Sequence, residues 1–139
     1  MSEWTRPELV TLHRYFIWAN HMRTHFVEIF DEILATKKQL EGATEIESFL
    51  YMSYWYAGLY VVIEGWKALE LSDTVIDELV NSPNVELLRR YRNGVFHFQR
   101  NYNDQRFDEF MTQGTDEVAW VRSLNEQFGR YFLERHKRP

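Results

Sequence analysis

The stretch Phe49-Leu50-Tyr51-Met52-Ser53-Tyr54-Trp55-Tyr56-Ala57-Gly58-Leu59-Tyr60-Val61-Val62-Ile63-Glu64 is the most apolar part of the chain. Three readings compete for it. A transmembrane helix needs about 20 apolar residues, and Glu64 closes this run well short of that. The β-branched Val61-Val62-Ile63 invites a strand. Ahead of the run, however, Thr44-Glu45-Ile46-Glu47 has the Thr-x-x-Glu form of a capping box. A segment from there to about Leu71 is also far longer than a strand of roughly 3–10 residues. The apolar positions Phe49, Leu50, Trp55, Leu59, Val61, Val62, Trp66 and Leu69 lie on nearly every side of a helix, which predicts a central helix covered by several neighbours.

Working outward, Leu9, Leu12, Phe16, Ala19, Arg23, Phe26, Phe30 and Ile33 repeat at steps of three and four behind Pro7. That spacing predicts an amphipathic helix over Pro7–Thr36, with Arg23 the one polar residue in its apolar seam. A connection from Lys37 to Ala43 follows, with Gly42 in it. Beyond the central helix, a short helix is expected over Asp73–Val80. Ser82 then caps a third main helix, with Pro83 in first position, running to about Arg100. Asn101–Asp104 is turn-rich, Gln105–Met111 reads as a short helix, and Gln113-Gly114-Thr115 as a stop followed by a cap. A last helix spans Asp116 to about His136, with Val118, Val121, Leu124, Phe128 and Phe132 on one face. No alternating pattern, internal repeat or low-complexity segment interrupts this order. The expected fold is all-α: a single domain over 1–139, a bundle of four main helices plus one or two short ones.

Composition narrows the function classes. The 139 residues include 23 aromatics and only nine Gly plus Pro, which suits one packed domain. The absence of Cys removes disulfides, thiolate zinc sites, iron–sulfur ligation and cysteine nucleophiles. The first residues, Met1-Ser2-Glu3-Trp4-Thr5-Arg6, mix charges and hold no apolar core, so a secretory signal, a lipid anchor and a membrane partner are not expected and a cytoplasmic location is. His21 and His25 are spaced to share a metal, with Glu28 or His13 as further ligands. Only His97 and His136 follow them, so neither metal nor cofactor is expected. The net charge of −5 argues against non-specific coating of nucleic acid. Yet the window Glu86–Arg106 holds five Arg against two acids, a basic island of +3 in a remainder of −8.

Within that island runs Leu88-Arg89-Arg90-Tyr91-Arg92-Asn93-Gly94-Val95-Phe96-His97-Phe98. Asn93 and His97, four apart, share a helical face, and the long side chain of Arg92 can swing toward it. Arg supplies a permanent charge and a planar fork for the non-bridging oxygens of a phosphodiester. Imidazole exchanges protons near neutral pH. Asn93 can fix the imidazole tautomer or donate to the phosphate. On RNA such a set activates the ribose 2′-hydroxyl without metal; DNA lacks that hydroxyl. The plain alternative is an interhelical polar network. Glu64, on a stripe with Ser53, Ala57 and Tyr60, either orients Arg92 or His97 or pairs with Lys67. Arg89, Arg90, Arg100 and Arg106 either steer RNA or form a solvated face. Tyr91, Tyr102 and Phe98 either stack on unpaired bases or pack the protein.

The run Arg92-Asn93-Gly94-Val95-Phe96-His97 resembles the Arg-polar-x-x-x-His signature of HEPN domains (higher eukaryotes and prokaryotes nucleotide-binding). Length, helix order and the place of the motif late in a Pro-led helix are similar over essentially the whole chain. The resemblance implies a homodimer whose motif helices face each other, forming a metal-independent endoribonuclease that leaves a 2′,3′-cyclic phosphate and a 5′-hydroxyl. It also implies roles such as toxin–antitoxin and RNA-processing systems. Arg92 would then bind the phosphate, His97 act as acid and base, and Asn93 support them; the residue reading adds Arg89, Arg90, Arg100 and Glu64 as candidates for substrate binding. The alternative is a non-catalytic module that binds a nucleotide or a partner, such as an antitoxin or a separately encoded nucleotidyltransferase. No nucleotidyltransferase motif occurs in this chain. Gly94 departs from good helix chemistry, at about 1 kcal/mol relative to Ala. An approaching partner helix or RNA backbone would explain it.

Overall fold

Six α-helices and no strand make up the described part of the computed structural model, residues 6–36 and 42–137. They are α1 (Pro7–Thr36), α2 (Ala43–Ala68), α3 (Thr74–Val80), α4 (Asn84–Phe96), α5 (Gln105–Gln113) and α6 (Glu117–Lys137). The architecture is the expected all-α bundle of four main and two short helices. Residues 1–5, most of the first connection (37–41) and residues 138–139 lie outside the described residues.

Helix α2 is the central element. Trp55, Leu59, Val62, Ile63 and Trp66 on it are buried. Helix α1 runs antiparallel along one flank, pairing Ala19 with Gly58 and Leu12 with Gly65. A Cβ on Gly58 would come within 2.9 Å of the Ala19 Cβ, so the absent side chain sets how closely these helices cross. Helix α6 covers a second flank: Phe16 of α1 meets Phe132 at 5.6 Å between ring centres, and Trp66 meets Tyr131 edge-on at 4.8 Å. Helices α4 and α5 close the third flank, where Tyr91 packs on Phe107 at 4.9 Å and Tyr56 meets Phe110 at 5.7 Å.

Local caps follow the sequence. The Asp73 carboxylate accepts the Val75 and Ile76 N–H groups at the start of α3, and Asp104 accepts the Arg106 N–H at the start of α5. The Ser82 hydroxyl accepts the Asn84 N–H at 3.1 Å ahead of α4. Three expectations are corrected. The capping box at Thr44–Glu47 does not open α2: the helix begins at Ala43 behind Gly42, which puts Thr44 inside the first turn. At its other end α2 stops at Ala68 instead of about Leu71. A Schellman motif closes it, with Glu70 N–H on the Lys67 carbonyl and Leu71 N–H on the Trp66 carbonyl, and Glu70 held at φ 54. Helix α4 ends at Phe96, not near Arg100, because His97 turns to extended backbone (φ −106, ψ 133) and the Gln99 amide caps its carbonyl at 2.9 Å.

The expected apolar faces hold only in part. On α1 burial ends at Ala19, and Phe30 is exposed; on α6 Val118 is exposed and Trp120 is buried instead. The Trp120 indole donates to the Leu79 carbonyl at 3.0 Å and ties α6 to α3.

Candidate functional site

The polar stripe on α2 meets the basic face of α4. The Arg92 guanidinium lies 4.7 Å over the Tyr60 ring, donates from Nε to the Asn93 Oδ1 at 2.9 Å, and from Nη1 to Glu64 Oε1. Its position is thus set by a π face, an amide and a carboxylate. Among the described residues no side chain takes Nη2, the edge left for a ligand. Arg92 is about one-fifth exposed and Glu64 about half, so water reaches both. An exposed ion pair of this kind contributes about 0–1 kcal/mol and an exposed cation–π contact about 0.5–1 kcal/mol. That is weak enough for an incoming phosphate to displace Glu64.

Arg89 borders the same patch and pairs with Glu86 through Nε and Nη2. The Tyr60 hydroxyl is pushed up, first by its burial and then by Glu64, while Arg92 and Arg89 oppose the rise. A deprotonated Tyr60 is therefore not part of this chemistry at neutral pH.

The other predicted site residues are dispersed. Of its three predicted partners, Arg92, His97 and Lys67, Glu64 takes Arg92. Asn93 orients Arg92 instead of the imidazole. His97, four residues after Asn93 as expected, is the C-cap of α4, and the backbone turns to extended there. Its backbone N–H bonds to the Asn93 carbonyl at 3.0 Å, and its side chain is exposed. Arg90 lies on the opposite flank of α4, bidentate on Glu109 of α5 at 2.7 and 3.2 Å. Arg106 pairs with Asp104, and Arg100 is exposed. Tyr91 is core, hydrogen-bonded to the buried Ser53 at 3.2 Å, while Phe98 and Tyr102 are 90% and 72% exposed. Gly94 is approached by the protein's own α5: a Cβ there would stand 2.9 Å from the Phe107 ring. The expected approach of a partner helix or RNA at this position is not what the structure places there.

Tyr60, the ring under Arg92, is the site contact the sequence concealed. It sits four residues before Glu64, on the same helical face, and that spacing was its only signal.

Beside this patch an apolar groove of about 410 Å³ runs between α1 and α2 to the end of α4, lined by Trp18, Met22, Tyr54, Gly58 and Phe96 among others. Trp18, Phe96 and Tyr54 are 56%, 49% and 43% exposed. A second groove of about 480 Å³ reaches Glu64 from the α1 side, past Tyr15 and Leu12. On α1, His25 stacks on Tyr51 at 5.0 Å. Among the described residues no three His, Asp or Glu side chains come together to hold a metal ion, and no helix is long and apolar enough to cross a membrane. Searches of family models, curated proteins and solved structures give no match to this chain.

Proposed function

We propose that the chain is a HEPN-like, metal-independent endoribonuclease acting on single-stranded or loop RNA as a homodimer. The observation that carries this reading is Arg92, held over Tyr60 by Asn93 and Glu64 with one amino edge open, one turn before the exposed His97. A phosphodiester oxygen displaces Glu64 from the guanidinium. The ribose 2′-oxygen attacks phosphorus as imidazole takes its proton. The P–O5′ bond breaks, and the departing oxygen is protonated, leaving a 2′,3′-cyclic phosphate and a 5′-hydroxyl. The apolar groove beside Phe96 supports the homodimer, since exposed apolar patches of this kind mark association surfaces. A second subunit seated there brings another Arg92 and His97 to the same cleft.

The test is cleavage of a loop-containing RNA in EDTA. His97→Ala is expected to lower the rate by roughly 10²- to 10⁴-fold, the range for a lost acid/base group. Undiminished cleavage by that variant overturns the assignment. One observation favours a second reading, a non-catalytic nucleotide- or partner-binding module: two of the three Arg92 nitrogens are already engaged within the chain. No cleavage, together with saturable nucleotide binding that Arg92→Ala abolishes, selects the module.

A further inference from the structure

Arg23, the polar residue in the apolar seam of α1, sits in a second polar cluster away from Arg92. Its Nε donates to the Asn20 Oδ1 at 2.8 Å. The same oxygen accepts the Asn125 amide of α6 at 3.1 Å, and the Asn125 oxygen accepts the Trp55 indole N–H of α2 at 3.0 Å. Trp55 and Asn125 are buried, so the chain of bonds is fixed in the core and holds Arg23 at its outer end. Arg23 and Arg122 both line a cavity of about 370 Å³ with Val27, Trp55, Asn125 and Glu126.

These two cations share one cavity and neither has a counter-ion there. Arg89, Arg90, Arg92, Arg106 and Arg130 each have a carboxylate within 4 Å. Among the described residues neither Arg23 nor Arg122 has one, although Glu126 stands on the same rim. Two guanidinium groups against one carboxylate leave this cavity positive in a chain of net charge −5. Positioned donors around a small polar-lined cavity match an oxyanion, because a guanidinium whose Nε is engaged still presents its Nη1 and Nη2 edge.

We infer that the cavity between α1 and α6 is a phosphate-binding site, with Arg23 and Arg122 as its two cationic ligands. It takes a phosphate group either free or at the end of a larger ester, and it does not depend on the ribonuclease reading. Glu126 opposes the anion and limits its affinity.

The experiment titrates the full-length ¹⁵N-labelled chain with inorganic phosphate, following the Trp55 indole and Asn125 side-chain amide signals, with potassium chloride at matched ionic strength as control. Both signals are expected to shift and saturate with phosphate only. Arg23→Gln and Arg122→Ala should each weaken binding about tenfold or more, the loss of a charge-assisted contact. Arg122 is exposed, so its replacement leaves the core intact even if Arg23→Gln does not fold. Adenosine 5′-monophosphate in a parallel titration separates the sources: tighter binding identifies an ester, equal or weaker binding free phosphate. Absence of a saturating shift overturns the proposal. So do shifts that chloride reproduces, and so does an Arg122→Ala chain that binds phosphate like the original.

Discussion

Arg92 is held by one exposed ion pair, one amide and one aromatic face, and each can be tested by a single replacement. Glu64→Gln removes the carboxylate that competes with a phosphate. Its expected effect is tighter RNA binding by up to about fivefold if the pair contributes about 1 kcal/mol, read by fluorescence anisotropy at fixed salt. A weaker complex would mean that Glu64 orients Arg92 instead of masking it. Asn84 is a purely structural counterpart. Its buried side-chain amide donates to the Thr115 carbonyl at 2.8 Å and its oxygen accepts the Thr115 N–H at 2.9 Å, fastening the start of α4 to the turn before α6. Asn84→Ala should cost about 1–3 kcal/mol by stranding both backbone groups, measurable by urea unfolding. The side-chain bond of Ser82, which closes within two residues, was legible in the sequence. Asn84 and Tyr60 were not, because their partners lie 31 and 32 positions away and no local pattern announces them.

At the scale of elements, two helix ends were misplaced for different reasons. Helix α4 lacks a Gly or Pro stop after His97; it ends because the Gln99 side chain reaches back to the His97 carbonyl. Helix α2 ends with a glutamate in a left-handed conformation that normally selects glycine. Glu70→Gly is expected to stabilise the protein by about 0.5–1 kcal/mol, the relief of the left-handed conformation less the extra freedom of the unfolded glycine. A rise in denaturation midpoint checks it. The attachment of α3 to α6 has a pH signature. Burial alone would raise the Asp73 carboxyl, but hydrogen bonds from the Ile76 and Val75 N–H groups and from Arg130 outweigh it and carry the pKa below its ordinary value. An unfolded Asp titrates near about 3.9, so this contribution is present in full above that pH and is lost as pH falls through the lower folded value. Asp73→Asn should therefore flatten the acid limb of the stability curve, seen as a smaller drop in Tm on acidification.

For the molecule as a whole, the helical class and the order of elements were readable, because seam spacing reports which side of a helix is covered. The pattern does not say how far along a helix that cover extends, which is why Phe30 and Val118 were assigned to the interior and lie outside it. The proposed homodimer is a statement at this scale. Light scattering should give twice the 16.9 kDa chain mass, and Phe96→Asp, placed in the exposed groove, should return the monomer mass with an unchanged helical signal and abolish RNA cleavage. A monomeric parent chain that still cleaves RNA would separate the chemistry from the assembly. The fully covered residues of α1 all fall between Leu9 and Ala19, while its remaining turns rest mainly on the first part of α2. Deuterium should accordingly enter the amides of the last turns well before those of the first three. On that expectation the long first helix, one rod by geometry, opens as two units.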